Sequence, residues 1–281
     1  MEVNVVTGPT ASGKTAAAIE LAQRLGCEII SADSRQIFRG IPITTAAPTA
    51  RELAAVRHHL VGVLELDDYY SAARFEEDAL GLIADMERRG LDRVVVCGGS
   101  MMYINALLNG LDELPTISDR VRAETLEFYQ QQGIDALRAE LQRLDPDYLA
   151  AADPNNHRRL IHALEIIRES GAPVSQLRTG RRKQRPFSVN MHVLNPPRAE
   201  LFDRINRRVE KMIEQGMLDE ARAVYPLRRL NSLNTVGFKE LFAYFDGIWD
   251  LPTAIARIQK NTRVYAKKQL TYLAKMRVGN D

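Results

Sequence analysis

The first motif in the chain is the phosphate-binding pattern G-x-x-x-x-G-K-[ST], matched by Gly8, Pro9, Thr10, Ala11, Ser12, Gly13, Lys14 and Thr15. It stands between an apolar segment and a helical pattern, which is the context that such a loop requires. The glycines let successive backbone N–H groups turn inward, while Lys14 and the helix N-terminus add positive potential. The pattern predicts a bound diphosphate or triphosphate, with the Thr15 hydroxyl as a ligand for Mg²⁺.

A single carboxylate follows the next strand pattern. Asp33 comes shortly after the apolar segment Glu28–Ser31. Beside a phosphate-binding loop it is a candidate general base, although aspartates also serve in turns and helix N-caps. The strand pattern Arg93–Cys97 ends in two glycines and Ser100, where an ordinary P-loop NTPase has a magnesium-binding acid. The sequence therefore predicts a phosphate site with one carboxylate and no clear second metal ligand.

The segments that position these residues alternate between short apolar runs and helical periodicity. This alternation predicts an α/β fold with a P-loop NTPase-like parallel sheet core flanked by helices. The predicted strands are Val3–Thr7, Glu28–Ser31, the weakly marked Leu60–Leu64, Arg93–Cys97 and Phe187–Leu194. The predicted core helices are Thr15–Leu25, with Gly26 as its cap, Ala72–Arg89, Arg198–Gln215, Leu218–Tyr225, Lys239–Tyr244 and Leu251–Met276.

A mostly helical insertion interrupts this core. Apolar residues recur at three- and four-residue spacing in Asp119–Gln132, Ile134–Leu144 and Asn156–Glu169. The basic stretch Pro173–Pro186 lacks periodicity and is predicted to be a loop. We therefore predict two domains, a catalytic core of residues 1–117 and 187–281 and a helical insertion of residues 118–186.

Composition and charge narrow the class of protein. The 281 residues are 45% hydrophobic and 26% charged, which is ordinary for a globular chain, and the net charge is +2. No apolar run approaches the ~20 residues of a membrane span, and no signal peptide precedes the first strand, so a cytoplasmic location is expected.

Residues 171–199 and 251–280 contain basic but no acidic side chains. Such segments attract a polyanion, although a solvated helix face and a basic loop without a binding role would show the same pattern of charges in the sequence.

Taken in order, the motifs resemble those of the tRNA dimethylallyltransferase family, also called tRNA isopentenyltransferases, from Gly8 to about Leu273. Besides the phosphate-binding loop, the resemblance rests on Ser31–Gly40, His58–Leu60, Gly98–Ser100 with Tyr103, Arg158–Arg159, Ala163–Glu165, Val236–Glu240 and Tyr265–Tyr272. It implies transfer of a dimethylallyl group from dimethylallyl diphosphate to the N6 amine of the adenosine immediately 3′ of the anticodon in tRNA. It also implies a monomer whose helical insertion contacts the anticodon arm.

The resemblance implies roles for individual residues. The loop Gly8–Thr15 would hold the diphosphate, and Asp33 would contact the amine as general base. Lys14 and Arg208 would stabilise the departing diphosphate, although the spacing of Arg204 and Arg208 would also suit a surface ion-pair ladder. Ser100 would bond the diphosphate or the target nucleotide. The residues expected to contact tRNA are Asp33, Ser34, Arg35, Gln36, Ser100, Arg122, Arg158, Arg159, Lys267 and Lys268.

Some positions depart from the family's pattern. Thr44–Pro48 stands for Gly-Thr-Ala-Lys-Pro, Ser100 replaces the usual threonine, His162 replaces a common arginine and Tyr272 replaces a tryptophan. These departures bear on RNA contacts and rate more than on the type of reaction.

Two other functions stay open on the residues alone. A small-molecule or nucleoside kinase could use Asp33 as the base for a hydroxyl, but it would need a magnesium-binding acid that the sequence does not provide. An RNA-binding or regulatory P-loop ATPase would account for the basic segments. Tyr265 and Tyr272 recur seven residues apart and are predicted to be core contacts rather than base-stacking platforms.

Overall fold

The computed structural model describes residues 1–112 and 114–275. They form two compact units: unit 1 comprises Met1–Leu108 and the described residues of Arg185–Asp281, and unit 2 comprises Asn109–Gln184. Each unit has its own buried apolar core. None of the helices in the described ranges is long and apolar enough to cross a membrane.

Unit 1 is built on a five-stranded sheet. Its strands are β1 (Glu2–Thr7), β2 (Ile29–Ser31), β3 (His58–His59), β4 (Arg93–Gly98) and β5 (Ser188–Val193). They lie in the order β3-β2-β4-β1-β5, and all neighbouring pairs are parallel. The predicted α/β class is confirmed, as are the strand predictions that correspond to β1, β2, β4 and β5.

The prediction of a third strand at Leu60–Leu64 is wrong, because the chain turns there. Leu60 (φ 60°) and Gly62 (φ 59°) have left-handed backbone conformations, which an extended strand cannot contain. The third strand is instead the short β3, which pairs with β2. Leu64 contributes only a single bridge, to Phe38.

Twelve helices surround the sheet or form unit 2 within the described residues. They are α1 (Lys14–Leu25), α2 (Ala50–Ala55), α3 (Ala72–Arg88), α4 (Met101–Asn109), α5 (Asp119–Leu144), α6 (Pro146–Ala151), α7 (His157–Ser170), α8 (Val174–Leu177), α9 (Arg198–Glu214), α10 (Met217–Val224), α11 (Phe238–Phe245) and α12 (Leu251–Lys275). The six predicted core helices are confirmed, and Gly26 caps α1 with φ 63°. The predicted end of the last helix, Met276, lies outside the described residues.

The sheet presents a different set of side chains to each of two cores. Val5 and Val96 belong to a core with Phe75 of α3. On alternate positions, Val6 and Val95 pack in a core with α1. Because successive side chains of a strand point to opposite faces, these continuous apolar strands are covered on both sides. This burial fixes the strands, and with them the loops at their carboxyl ends.

Unit 2 is helical. Gly133 interrupts α5 with φ 77° and ψ −173°, at the boundary between the two helices that the sequence predicts there. The Pro173–Pro186 stretch is not wholly a loop, because Val174 to Leu177 form the short α8. The start of α8 is held by buried Asp145, which accepts hydrogen bonds from Ser175 N (2.8 Å) and Ser175 Oγ (2.6 Å).

Candidate active site

Three loops of unit 1 leave the carboxyl edge of the sheet side by side, because β1, β2 and β4 are parallel neighbours. The phosphate-binding loop Gly8–Thr15, hereafter the P-loop, follows β1. Asp33 follows β2, and Ser100 follows β4. At the strand ends Thr7 Oγ1 donates a hydrogen bond to Gly98 O at 3.1 Å. The sheet therefore brings the predicted phosphate site and the predicted base to one place.

These loops border a cavity of about 730 Å³. The predicted site residues that line it are Thr10, Ala11, Gly13, Lys14, Thr15, Asp33, Ser34, Arg35, Gln36 and Arg208. Gly8, Pro9, Ser12 and Ser100 are not among the lining residues, but Pro9 and Ser100 are hydrogen-bonded to two of them, Lys14 and Ser34. The lining also includes the apolar side chains of Ile205, Val209 and Met212 of α9.

The P-loop is shaped to receive an anion. Gly13 is the N-cap residue of α1 with φ 95°, a conformation that favours glycine, and Ala11 is also left-handed with φ 63°. No side chain caps α1. The first N–H groups of a helix have no intrahelical acceptor, so those of α1 are left to a ligand, and the helix dipole adds to their potential. Such a turn forms an anion-binding concavity.

Lys14 is held inside this concavity. Its Nζ donates a hydrogen bond to Pro9 O at 2.7 Å. Burial lowers the pKa of the ammonium to about 8, against the opposing influence of Cys97 and Asp33, while Arg208 lowers it further. Because burial disfavours the charged form of Lys14, an anion bound beside it would stabilise the ammonium.

Two arginines of α9 line the cavity, Arg204 and Arg208, and they differ in their partners. Arg204 forms an i, i+4 ion pair with Glu200, as the ladder interpretation predicts. Arg208 forms no ion pair with the described residues, and its Nη1 donates to Thr10 Oγ1 at 3.4 Å. Burial lowers the pKa of the Arg208 guanidinium, and Asp33 opposes this shift. Arg208 is thus an uncompensated cation in the cavity wall.

Asp33 uses one carboxylate oxygen in a turn and leaves the other without a hydrogen bond from the described residues. Its Oδ1 accepts hydrogen bonds from Arg35 N (2.9 Å) and Gln36 N (3.3 Å), which is the geometry of an Asx turn. Its Oδ2 accepts none from the residues that the structure describes. The turn interpretation and the catalytic one are therefore compatible, because one oxygen orients the side chain and the other is left to a ligand.

Arg35 has an internal role that the sequence did not reveal. Its Nη1 donates to Asn231 O (2.7 Å) and Ser232 O (3.0 Å). Burial lowers the pKa of the guanidinium, against the influence of Tyr103, Asp33 and others. The side chain, predicted to contact RNA, also ties the Asp33 loop to the segment before α11.

The remaining predicted RNA contacts are exposed. Lys267 and Lys268 lie on the solvent side of α12 in unit 1. Arg122, Arg158 and Arg159 are exposed in unit 2.

The α12 wall of the cavity was missed by sequence reasoning. Ile258, Thr262, Tyr265 and Gln269 all line the cavity. The prediction that Tyr265 is a core contact is wrong, since it is 45% exposed, whereas Tyr272 does pack against the core. The available signal was the recurrence of these four residues at four-, three- and four-residue intervals, which places them on one helix face.

A family model matches most of the chain. Residues 36–276 match the family model described as IPP transferase. The matched segment begins after the P-loop and Asp33. It includes the whole of α9 and α12, which supply Arg208 and the α12 wall.

Curated relatives and solved structures extend the similarity over almost the whole chain. The tRNA dimethylallyltransferase 2 of Parabacteroides distasonis is 47% identical over 268 residues, which are 95% of this chain and 89% of the relative. The tRNA isopentenylpyrophosphate transferase of Bacillus halodurans has a TM-score of 0.70 at 38% identity and covers 98% of this chain and 87% of its own. A eukaryotic dimethylallyltransferase acting on tRNA has a TM-score of 0.83 at 28% identity, covering 97% of this chain and 69% of its own. The chain belongs to the IPP transferase family.

Proposed function

We propose that this protein transfers a dimethylallyl group from dimethylallyl diphosphate to the N6 amine of the adenosine immediately 3′ of the anticodon in tRNA. The observation that carries the proposal is the shared cavity: Lys14, Arg208 and Asp33 line the same space of about 730 Å³. An anion site and an available carboxylate oxygen in one cavity suit an amine nucleophile with a diphosphate leaving group.

The proposed reaction forms one bond and breaks another at the same allylic carbon. The N6 lone pair attacks that carbon, and the electron pair of its C–O bond leaves with diphosphate. Negative charge grows on the leaving group, where Lys14, Arg208 and the N–H groups of the α1 first turn can stabilise it. These groups are fixed before the reaction, so no reorganisation opposes their effect.

Asp33 would accept the proton that the amine loses. The lone pair of an adenine amine is conjugated with the ring, so the amine becomes a better nucleophile as its proton leaves. A positioned base contributes about 10²–10⁴-fold. The Asx turn leaves Oδ2 for this purpose, because the backbone hydrogen bonds occupy Oδ1.

Mg²⁺ is part of the same proposal. Residues 1–112 and 114–275 contain no group of three or more His, Cys, Asp or Glu side chains that could hold a metal. Magnesium usually keeps several waters and binds substrate phosphates, so it does not need such a group. Thr15 lines the cavity in the first turn of α1, and its hydroxyl fits a ligand position. When bound, the ion would neutralise part of the diphosphate charge.

The RNA would be bound by exposed basic residues. We assign phosphate contacts to Lys267 and Lys268 in unit 1, and contacts with the anticodon arm to Arg122, Arg158 and Arg159 in unit 2. The target base must leave its stack to enter a cavity, so these contacts would hold an opened loop. A monomer acting in the cytoplasm, where tRNA is modified, completes the proposal.

One assay distinguishes this function from the alternatives. The protein is incubated with radiolabelled dimethylallyl diphosphate, unmodified tRNA and Mg²⁺, and label in the RNA is counted. In parallel, ATP consumption is followed with and without RNA. Label that enters the RNA supports the proposal, whereas ATP consumption without such label would indicate a kinase or an ATPase.

A further inference from the structure

One buried side-chain amide is hydrogen-bonded to two of the loops that border the cavity. Gln269 of α12 is 5% exposed. Its Oε1 accepts a hydrogen bond from Thr10 N at 2.8 Å, and its Nε2 donates one to Gly99 O, also at 2.8 Å. Thr10 belongs to the P-loop, and Gly99 belongs to the turn after β4. A single side chain thus satisfies one backbone donor and one backbone acceptor on two different loops.

Each end of this bridge continues to a residue of the proposed machinery. On the P-loop side, Thr10 Oγ1 accepts the hydrogen bond from Arg208. On the other side, Gly99 precedes Ser100, whose Oγ accepts from Ser34 N at 2.8 Å. Ser34 directly follows Asp33. The amide therefore lies between the groups that would hold the diphosphate and the loop that carries the base.

The fit around the amide is tight. A Cβ on Gly99 would come within 2.6 Å of Nε2 and 3.7 Å of Lys14 Nζ. A side chain at position 99 would therefore displace the Gln269 amide from its two hydrogen bonds.

We propose that Gln269 is a positioning residue that fixes the spacing between the P-loop and the Gly99–Ser100 turn, and so the alignment of bound diphosphate with Asp33. This proposal rests on the proposed function. Misalignment of about 1 Å can lower a rate by about 10²-fold. If Gln269 has this role, its substitution should lower kcat by a larger factor than it lowers the affinity for diphosphate. Loss of folded protein should not account for the lower kcat.

Three variants test this role. Gln269→Leu keeps the approximate volume and removes both hydrogen bonds. Gln269→Glu keeps the acceptor for Thr10 N, but it can donate to Gly99 O only when its carboxyl group is protonated. Gln259→Leu is the matched control, because Gln259 lies on the same helix and its Nε2 donates to Glu210 Oε1 (3.2 Å), outside the cavity.

The measurements are kcat and KM for transfer to tRNA, calorimetric affinity for inorganic pyrophosphate with Mg²⁺, and Tm. We expect Gln269→Leu to lower kcat by about 10²-fold and pyrophosphate affinity by about tenfold. We expect Gln259→Leu to leave both within about threefold of the wild type. Retention of wild-type kcat and pyrophosphate affinity by a folded Gln269→Leu protein would overturn the proposal.

If Gln269→Leu does not fold, Gln269→Glu tests the positioning role. The ratio of its kcat to that of the wild type should rise as the pH falls, because the protonated carboxyl group restores the donor to Gly99 O. A ratio that does not change with pH contradicts the orienting role. The pyrophosphate measurement needs no transfer, so weaker binding by Gln269→Leu would support the bridge even if wild-type protein failed to label tRNA.

Discussion

Ser34 and Ser100 lock the loop after β2 to the turn after β4. Ser34 N donates a hydrogen bond to Ser100 Oγ at 2.8 Å, and Ser100 Oγ donates to Ser34 Oγ at 3.2 Å. The family's usual threonine would offer the same hydroxyl, so the serine keeps this function without the extra methyl group. That Ser100 bonds the diphosphate or the target nucleotide stays a prediction, and its described contacts support the backbone next to Asp33.

Replacement of Asp33 by asparagine should abolish most of the transfer activity. Asparagine can still accept the hydrogen bonds from Arg35 N and Gln36 N, so the turn is preserved while the base is lost. We expect kcat to fall by about 10²–10⁴-fold with little change in tRNA affinity. Glu52→Gln is the matched control, since Glu52 also lines the cavity and glutamine can keep its capping box with Thr49. Near-normal turnover by Asp33→Asn would exclude Asp33 as the base.

Diphosphate binding should weaken as the pH rises above about 8. The pKa of Lys14 in the free protein is lowered to about 8, and a bound diphosphate anion would raise it. Below that pH the ammonium is protonated both before and after binding, so Lys14 adds no pH dependence. Above it, binding must take up a proton, and affinity falls by up to about tenfold per pH unit until the pKa of the complex is reached.

Lys14→Arg supplies the reference for this titration, because arginine stays protonated throughout the range. Affinity for dimethylallyl diphosphate is measured by calorimetry from pH 6.5 to about 10 for both proteins. The ratio of wild-type to variant affinity should be constant below pH 8 and should fall above it. Two parallel profiles would contradict the assignment.

Arg208→Ala should reduce kcat by about 10²–10³-fold, the usual cost of removing a group that stabilises charge in the transition state. Arg204→Ala is the comparison on the same helix. Its guanidinium is already paired with Glu200, so we expect a loss of no more than about tenfold. Steady-state kinetics on both variants provide the check. An equal reduction of kcat in both variants would mean that the two arginines contribute only positive potential, and that Arg208 has no specific contact with the leaving group.

Lys267 and Lys268 should contribute to the salt dependence of tRNA binding. If each contacts one phosphate, the double alanine variant should reduce the magnitude of the slope of log K against log salt by about 1.4 to 1.8. Filter binding between 50 and about 300 mM salt measures the slope. The control is Arg24→Ala with Arg88→Ala, at the C-terminal ends of α1 and α3, away from the P-loop. An unchanged slope in the lysine variant would remove both residues from the RNA contact.

Arg35→Lys should destabilise the fold despite keeping the charge. The ammonium cannot reproduce the two hydrogen bonds to Asn231 O and Ser232 O, each of which involves a charged donor. We expect a loss of about 1–3 kcal/mol, seen as a lower midpoint of urea unfolding. Arg88→Lys, at an exposed ion pair with Asp85, should change the midpoint little. Equal midpoints for the two variants would deny Arg35 its internal role.

Local signals in the sequence were sufficient for the P-loop and most of the sheet. The buried β-branched runs of β1 and β4, and Gly26 at the end of α1, determine structure within a few residues of themselves. The helix α4 was missed because it is buried and apolar almost throughout, which removes the amphipathic pattern. The strand β3 was misplaced because its two histidines carry no strand pattern.

The composition of the cavity wall could not be derived in the same way. Gln269 and Thr10 are separated by 259 positions along the chain. Their contact depends on how α12 packs in unit 1, and no periodicity in either segment encodes it. The same applies to Arg35 and the Asn231–Ser232 carbonyls. The sequence could nominate Asp33 and Arg208 through the resemblance, but only packing brings them to one cavity.

The single face of α12 that carries Ile258, Thr262, Tyr265 and Gln269 makes the length of this helix as important as its residues. An α-helix turns by about 100° per residue. One residue inserted or deleted between Ile258 and Gln269 would swing one end of that face away from the cavity while leaving the helix itself intact. A change in the residue count of this segment would therefore separate the cavity wall from the bridge to the P-loop.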